Sequence, residues 1–268
     1  MSLIVRPGYG GAAVSDPDAQ TYLQAVEVAD NQALEQGVQQ AVNQFVIGCK
    51  ADGIWTAIKA SCILAGARTL AGALVPLAGT APTNVGGLFV EGDYNRKTGL
   101  VGNGTSKYLN SNRTTNSDPQ NNKHLGIYVS TGDSKPSGFP FYLSGGGAGV
   151  VGIIRDASTN TLGFYASNVP TPLLIAGQGN TTGFKGVFRN NASTISGRTG
   201  GTTTSGSSTS AAETITSNIV VFADNYLNTI GNYTNARLAF YSIGESLDLA
   251  LLDARVSALI TAFGVAIP

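Results

Sequence analysis

The chain has 268 residues, enough for one large all-β domain or two smaller ones around a sizeable core. Sixteen basic residues balance 16 acidic ones, and charged residues make up 12%, about half the usual share, so Thr, Ser, Asn and 35 Gly supply the polarity. A neutral, sparsely charged surface argues against nucleic acid as a partner, because phosphate binding needs a basic face, and suits a protein that works in an assembly or outside a cell.

Residues 1–15 are Gly-rich and aperiodic, which predicts an extended arm. No signal peptide is expected, since the first nine residues lack a long apolar run behind basic residues. Asp16-Pro17 reads as an N-cap followed by Pro at the first helical position, and Tyr22, Leu23, Val26 and Ala29 suit a short helix. A second helix is predicted over 32–47, with Leu34, Val38, Ala41, Val42 and Phe45 on its apolar face and Gly48 as its C-cap. After the Asp52-Gly53 turn, Trp55, Ile58 and Ile63 predict a third helix over 54–64, and 66–76 adds a short turn or helix. The most apolar window, 54–77, contains Lys59 and Arg68, so no membrane span is expected.

The pattern changes near Pro76. Short apolar runs broken by Gly, Asn, Thr and Pro predict strands at 88–90, 100–101, 108–109, 124–130, 139–143, 150–155, 161–166, 173–176, 184–190, 192–196, 219–223 and 237–243. Many short strands with no helix between them predict an antiparallel sandwich or barrel rather than a parallel sheet. The Thr/Ser/Gly-rich stretch 199–212 is predicted to be an exposed loop between adjacent strands. In the last strand, Leu238, Phe240 and Ser242 are expected on one face and Arg237, Ala239 and Tyr241 on the other. Ser246 is the expected cap of a closing helix, with Asp248 in its first turn. Leu249, Leu252, Val256, Leu259, Ile260 and Phe263 form its apolar stripe, and Gly264 and Pro268 close it. That stripe must be buried against the sandwich or the N-terminal helices, and the strand before it should pair with an early strand.

The fold class expected is therefore mainly β: an antiparallel, jelly-roll-like sandwich with an N-terminal helical segment and a C-terminal helix. The expected organisation is an arm over 1–15, a helical docking segment over 16–80 and the sandwich with its helix over 81–268. Leu34, Val38, Val42, Phe45, Trp55, Leu252, Val256 and Leu259 are the residues expected to carry packing and assembly.

Chemistry-bearing motifs are sparse. Cys49 and Cys62 with one His offer no zinc spacing; buried free thiols are the favoured reading and a disulfide between them is the alternative. Gly147-Ala148-Gly149-Val150-Val151-Gly152 matches GxGxxG, but a strand follows it and no acidic residue stands about twenty positions on, so it reads as a hairpin turn. Glu91 and Asp93, two apart on an expected strand, would share a face as a glycosidase pair does; Arg96 stands where sandwich glucanases carry a third acid, which favours a salt bridge or a solvated strand end. His124 has no nucleophile motif near it and reads as structural. Tyr94, Tyr108, Phe139, Tyr142, Tyr165, Tyr226 and Tyr233 could stack on sugar rings, though most are expected in the core or on sheet faces. No cofactor or metal is implied.

Residues 123–130 (KHLGIYVS) and 237–245 (RLAFYSIGE) with the closing helix resemble strands of the laminin-G/concanavalin-A-like sandwich, and 184–191 (FKGVFRNN) resembles its strand ending in an Asn-containing turn. Residues 52–60 (DGIWTAIKA) and 93–100 (DYNRKTGL) resemble sequence common in phage virion proteins. The resemblance covers roughly residues 50–268 and implies a non-enzymatic structural component of a tailed-phage virion, in head decoration or in a tail fibre or baseplate. It implies other virion proteins as partners and a homo-oligomer, a trimer among the options. The alternatives are a carbohydrate-binding module for host-surface glycan and, behind it, a glycoside hydrolase using Glu91 and Asp93. No family calcium or sugar ligand maps onto this chain.

Overall fold

The computed structural model describes residues 14–147, 150–168, 171–213 and 215–268, so residues 1–13 of the expected arm lie outside the described residues. The helices are α1 (Pro17–Asp30), α2 (Gln36–Ala51), α3 (Leu70–Ala73) and α4 (Leu249–Ala266). In chain order the strands are β1 (Ile58–Ile63), β2 (Pro76–Ala78), β3 (Thr83–Asn84), β4 (Tyr94–Asn95), β5 (Gly99–Val101), β6 (Leu109–Thr114), β7 (Lys123–Thr131), β8 (Phe141–Gly145) and β9 (Val151–Asp156). They continue with β10 (Thr161–Ala166), β11 (Leu173–Ile175), β12 (Gly183–Arg189), β13 (Thr194–Thr199), β14 (Thr202–Ser207), β15 (Asn218–Val221), β16 (Asp224–Tyr226), β17 (Thr229–Gly231) and β18 (Arg237–Gly244).

These elements make three layers. Sheet one runs β14-β13-β12-β7-β18-β1-β2, with β5 also paired to β18 and to β4; sheet two runs β11-β10-β9-β8-β15-β6-β3. Every strand pair within the two sheets is antiparallel. Their facing sides enclose one core, including Leu100, Ile127, Leu143, Ile153, Phe164, Val187 and Tyr241. Sheet one's other side carries α1, α2 and α4, closing a second core through Phe45, Phe184, Phe240, Leu252 and Phe263. The result is the mainly β sandwich with helices at both ends of the chain that the alternation predicted.

The closing strand pairs with an early strand, as expected: β18 lies between β1 and β7, in the middle of sheet one. Its faces differ from the simple alternation. Leu238, Tyr241 and Ile243 point between the sheets, whereas Ala239 and Phe240 lie under the helices. The register against β7 shifts between Leu238 and Phe240, and such a bulge reverses the side-chain phase.

The third helix predicted over 54–64 is not formed. A short 3₁₀ turn at Trp55–Ala57 leads into strand β1. Ile58 and Ile63 of β1 face the helices, while Ala60 and Cys62 face sheet two. A strand covered on both faces reads as a continuous apolar run, which periodicity cannot separate from a buried helix. Hydrogen bonding of the sheet therefore crosses residue 80, through β1 and β2.

Other boundaries move as well. α2 starts four residues later than predicted, and Gly48 is interior, with Asp52 at the C-cap. Asp248, not Ser246, caps α4: its carboxylate accepts from the amides of Ala250 and Leu251, while the Ser246 hydroxyl is bonded to Asn122 Oδ1 at 2.5 Å. Gly264 lies inside α4 rather than closing it. Residues 88–90 form no strand. Part of the expected loop 199–212 is β14, joined to β13 by the Gly200-Gly201 turn; both glycines have positive φ, as a tight hairpin requires.

α4 is clamped by shape. Its buried stripe, Leu249, Leu252, Val256, Leu259 and Phe263, covers sheet one and α2, each side chain contributing roughly 1.5–3 kcal/mol over exposure. The sheet surface under it is flattened by glycine: a Cβ on Gly186 would stand 3.0 Å from Leu249 Cδ2 and 2.8 Å from Phe184 Cε1. α2 approaches equally closely, since a Cβ on Gly37 would meet Ala266 at 2.8 Å and one on Gly48 would meet Arg255 Nε at 2.7 Å. Arg255 then forks onto Asp52 at 2.7 and 2.9 Å. By length and composition α4 could cross a bilayer, yet in this fold its stripe is packed on sheet and helix.

Candidate functional site on the outer face of sheet two

Among the described residues no helix covers the outer face of sheet two, and its strands β9, β10 and β11 shape a groove there. Leu162, Phe164 and Ala166 of β10 point into the core, so Thr161, Gly163 and Tyr165 point out. In register, Gly163 sits between Ile154 on β9 and Leu174 on β11. Lacking a side chain, Gly163 lets its neighbours close in: a Cβ there would stand 2.7 Å from Ile154 Cγ2 and 3.4 Å from Leu174 Cδ2. Along β10, Tyr165 stands on one side of Gly163 and Thr161, paired with Asp156, on the other.

The groove encloses about 400 Å³, with Phe139 and Pro172 completing its walls. Phe139, in the loop before β8, and Leu174, on β11, are each 57% exposed and together present a large apolar surface. The polar end is ordered. Asp156 accepts from the amides of Ser158 (2.9 Å) and Thr159 (3.3 Å), and the Thr159 hydroxyl donates to Thr161 at 2.9 Å. The Thr159 side chain foremost, with those amides and the Arg155 charge, holds the Asp156 carboxyl below its ordinary range. Arg155, one residue earlier, turns inward to a buried ion pair with Asp133 at 2.8 Å. Asp133 is further held by Thr234 Oγ1 (2.6 Å) and the Asn235 amide (2.9 Å). Apolar walls, two aromatic rings and a few fixed oxygens are the makings of a small-molecule site.

The aromatics named from sequence separate here. Phe139 and Tyr165 meet at the groove. Tyr142 is fully buried and donates to Gly179 O at 2.5 Å, and half-buried Tyr94 donates to Ala67 O at 2.8 Å. Tyr108 and Tyr233 pair with each other at 6.3 Å, and Tyr226 is exposed away from the groove. Gly163, Ile154, Asp156, Thr159, Thr161, Pro172 and Leu174 were not singled out from sequence. The alternation of Thr161, Gly163 and Tyr165 against Leu162, Phe164 and Ala166 carried the signal: an outward glycine beside an outward tyrosine.

The strand placement of the paired carboxylates is corrected, and the salt-bridge reading holds for Asp93. Glu91 and Asp93 lie in a 3₁₀ turn, not on a strand. Glu91 accepts from the Leu70 amide at 2.9 Å, capping α3, and Asp93 accepts from the Val90 amide at 2.8 Å and pairs with Lys107. Arg96 forks onto Glu35 at 3.0 and 2.6 Å. His124 is buried between Glu245 O (2.6 Å) and Ser242 Oγ (2.7 Å), and burial drives its pKa down to about 4. Cys49 and Cys62 are buried free thiols, both pushed up to about 12 by burial. β8 and β9 flank the glycine motif as antiparallel strands; its Ala148 and Gly149 lie outside the described residues. Leu34, Val38, Val42, Phe45, Leu252, Val256 and Leu259 all sit in the core beneath the helices, with Trp55 half-buried against it. Among the described residues no cluster of His, Cys, Asp and Glu could hold a metal.

No family model and no curated protein matches the chain. Solved structures with a similar fold include the Ruminococcus gnavus IT-sialidase carbohydrate-binding module CBM40, at 8% identity and a TM-score of 0.40, covering 51% of this chain and 83% of that one. Trypanosoma rangeli sialidase matches at 12% identity and a TM-score of 0.47, over 75% of this chain and 33% of that one. The binding domain of botulinum neurotoxin serotype D matches at 10% identity and a TM-score of 0.50, over 75% of this chain and 51% of that one. The chain thus spans a third of the length of the sialidase and about half that of the toxin domain. At such identities the likeness is one of fold, and the chain is similar in architecture to β-sandwich domains.

Proposed function

We propose that this chain is a non-enzymatic binding module that holds a saccharide in the groove on the outer face of sheet two. The observation that carries this is that exposed Phe139 and half-buried Tyr165 line one groove, on a face that no helix among the described residues covers. Pyranose rings present apolar C–H faces and polar edges, which complement aromatic walls and a rim of Thr and Asp oxygens. Glu91 and Asp93 are each engaged in structural hydrogen bonds, which supports binding over glycoside hydrolysis. A glycan array tests the reading: the protein should retain oligosaccharide, and Tyr165→Ala should lose at least roughly tenfold in affinity. An array without signal, or an unaffected variant, removes it.

A second reading, a self-assembling component of a tailed-phage particle, rests on the sequence resemblance and on the free face of α4. Leu251, Ala254, Ala258 and Thr261 are exposed and continue to Val265, at spacings of three and four, with no charge among them. That is the spacing of a helix–helix seam, opposite the stripe already buried in the chain. On this reading the second copy packs α4 on α4. Sedimentation should show an oligomer that Ala258→Glu dissociates; a monomeric wild type ends this reading and leaves the groove proposal standing.

A further inference from the structure

We infer that the groove selects an uncharged saccharide and rejects acidic ones, an inference that rests on the saccharide-binding reading above. The argument is the placement of charge across β9. Strand alternation puts Arg155 and Asp156 on opposite sides of sheet two. The cation goes inward, where Arg155 is 5% exposed and bound to Asp133 and to Lys135 O at 2.9 Å. The anion goes outward, and Asp156 is the one charged side chain among the described residues lining the groove. A carboxylate accepts hydrogen bonds and donates none, so it suits sugar hydroxyls. The neighbouring Thr159 and Thr161 hydroxyls are linked to each other and add no charge.

An acidic sugar in this groove would bring a second anion beside Asp156. The two like charges repel at short range, an effect that salt screens. No lysine or arginine stands among the described lining residues to offset it, in a cavity where the ligand's other contacts are with Phe139, Tyr165, Ile154 and Leu174. Sialic and uronic acids would need a guanidinium or ammonium at the rim, and the guanidinium of Arg155, one residue before Asp156, is locked on the far side of the sheet.

The test compares neutral chitotriose, lactose and maltotriose with acidic 3′-sialyllactose and trigalacturonic acid, on wild type, Asp156→Asn and Tyr165→Ala. Wild type should retain at least one neutral sugar and bind both acidic ones at least roughly tenfold more weakly. Asp156→Asn should narrow that gap, read as the ratio of neutral to acidic affinity, while the neutral ligand itself weakens with the lost acceptor, and the wild-type gap should shrink in high salt. Acidic sugars bound as well as neutral ones, or a gap unchanged in Asp156→Asn, overturns the charge assignment and leaves the groove as a saccharide site. Wild type that binds none of the five, or Tyr165→Ala that binds as wild type does, overturns the underlying reading instead.

Discussion

The two sheets share one core and present opposite outer faces. Sheet one hides its outer face under α1, α2 and α4; no helix among the described residues covers that of sheet two. Both faces use a glycine in mid-strand, under different cover. Gly186 lets Leu249 of α4 approach the sheet, so the space is filled by the chain itself. Gly163 lets Ile154, Leu174 and Pro172 close in above its strand, and the groove opens beside them at Tyr165. The same residue type thus permits close packing on both faces, and what differs is the cover: a helix over Gly186, side chains that line an open groove over Gly163.

The largest expected effect tests the support beneath the open face. Asp133→Ala would leave Arg155 buried without its partner, and chemical denaturation should show a loss of about 3–5 kcal/mol. A loss under about 1 kcal/mol would mean that water reaches Arg155 and that the face is softer than its hydrogen bonds suggest.

Next comes a pH effect on the covered face. His124 is held neutral by burial, with a pKa of about 4 in the fold against an ordinary value near 6.5. Its stabilising contribution is fully present above pH 6.5 and is lost as the pH falls from 6.5 to 4, because only the unfolded chain takes the proton there. Over that window stability should drop by about 3 kcal/mol, and the drop should vanish in His124→Gln. An identical profile in the variant would assign the acid sensitivity to carboxylates elsewhere.

The matched glycine pair is the sharpest test of the comparison. Gly186→Val should cost about 1–3 kcal/mol, since its Cβ meets Phe184 and Leu249 in a closed layer. Gly163→Ala should also cost about 1–3 kcal/mol, since its Cβ would stand 2.7 Å from Cγ2 of Ile154, a β-branched side chain with little χ1 freedom, and it should weaken saccharide binding, which Gly186→Val should leave alone. A Gly186→Val variant that loses saccharide as Gly163→Ala does would remove the distinction between the faces. Smallest in stability is Phe139→Ala, within about 0.5 kcal/mol by thermal denaturation, because the side chain is mostly exposed.

Much of the fold was legible in local pattern. Asp16-Pro17 marked the start of α1, the stripe from Leu249 to Phe263 marked α4, and alternation marked most of the strands. β1 was not legible because helices cover one side of it and sheet two the other, which erases the period-two signal. The bulge at Leu238–Phe240 was hidden for a related reason: a register shift depends on the partner strand. At the candidate site, Phe139 and Tyr165 were recognisable as aromatics able to stack on a sugar. Their companions Ile154 and Leu174 read as ordinary apolar residues, because strands β9 and β11 become neighbours of β10 only through pairing.

What the sequence by itself determined is therefore what local chemistry encodes: the caps, the helical stripes, the alternating strands, the low charge and the absence of a metal or nucleophile motif. Which strand lies at a sheet's centre, which face a helix covers, and whether Arg155 or Asp156 meets the solvent were decided by the tertiary structure. Those properties depend on side chains brought together from distant parts of the chain, and the free energy of burial is set by the whole layer rather than by any one segment.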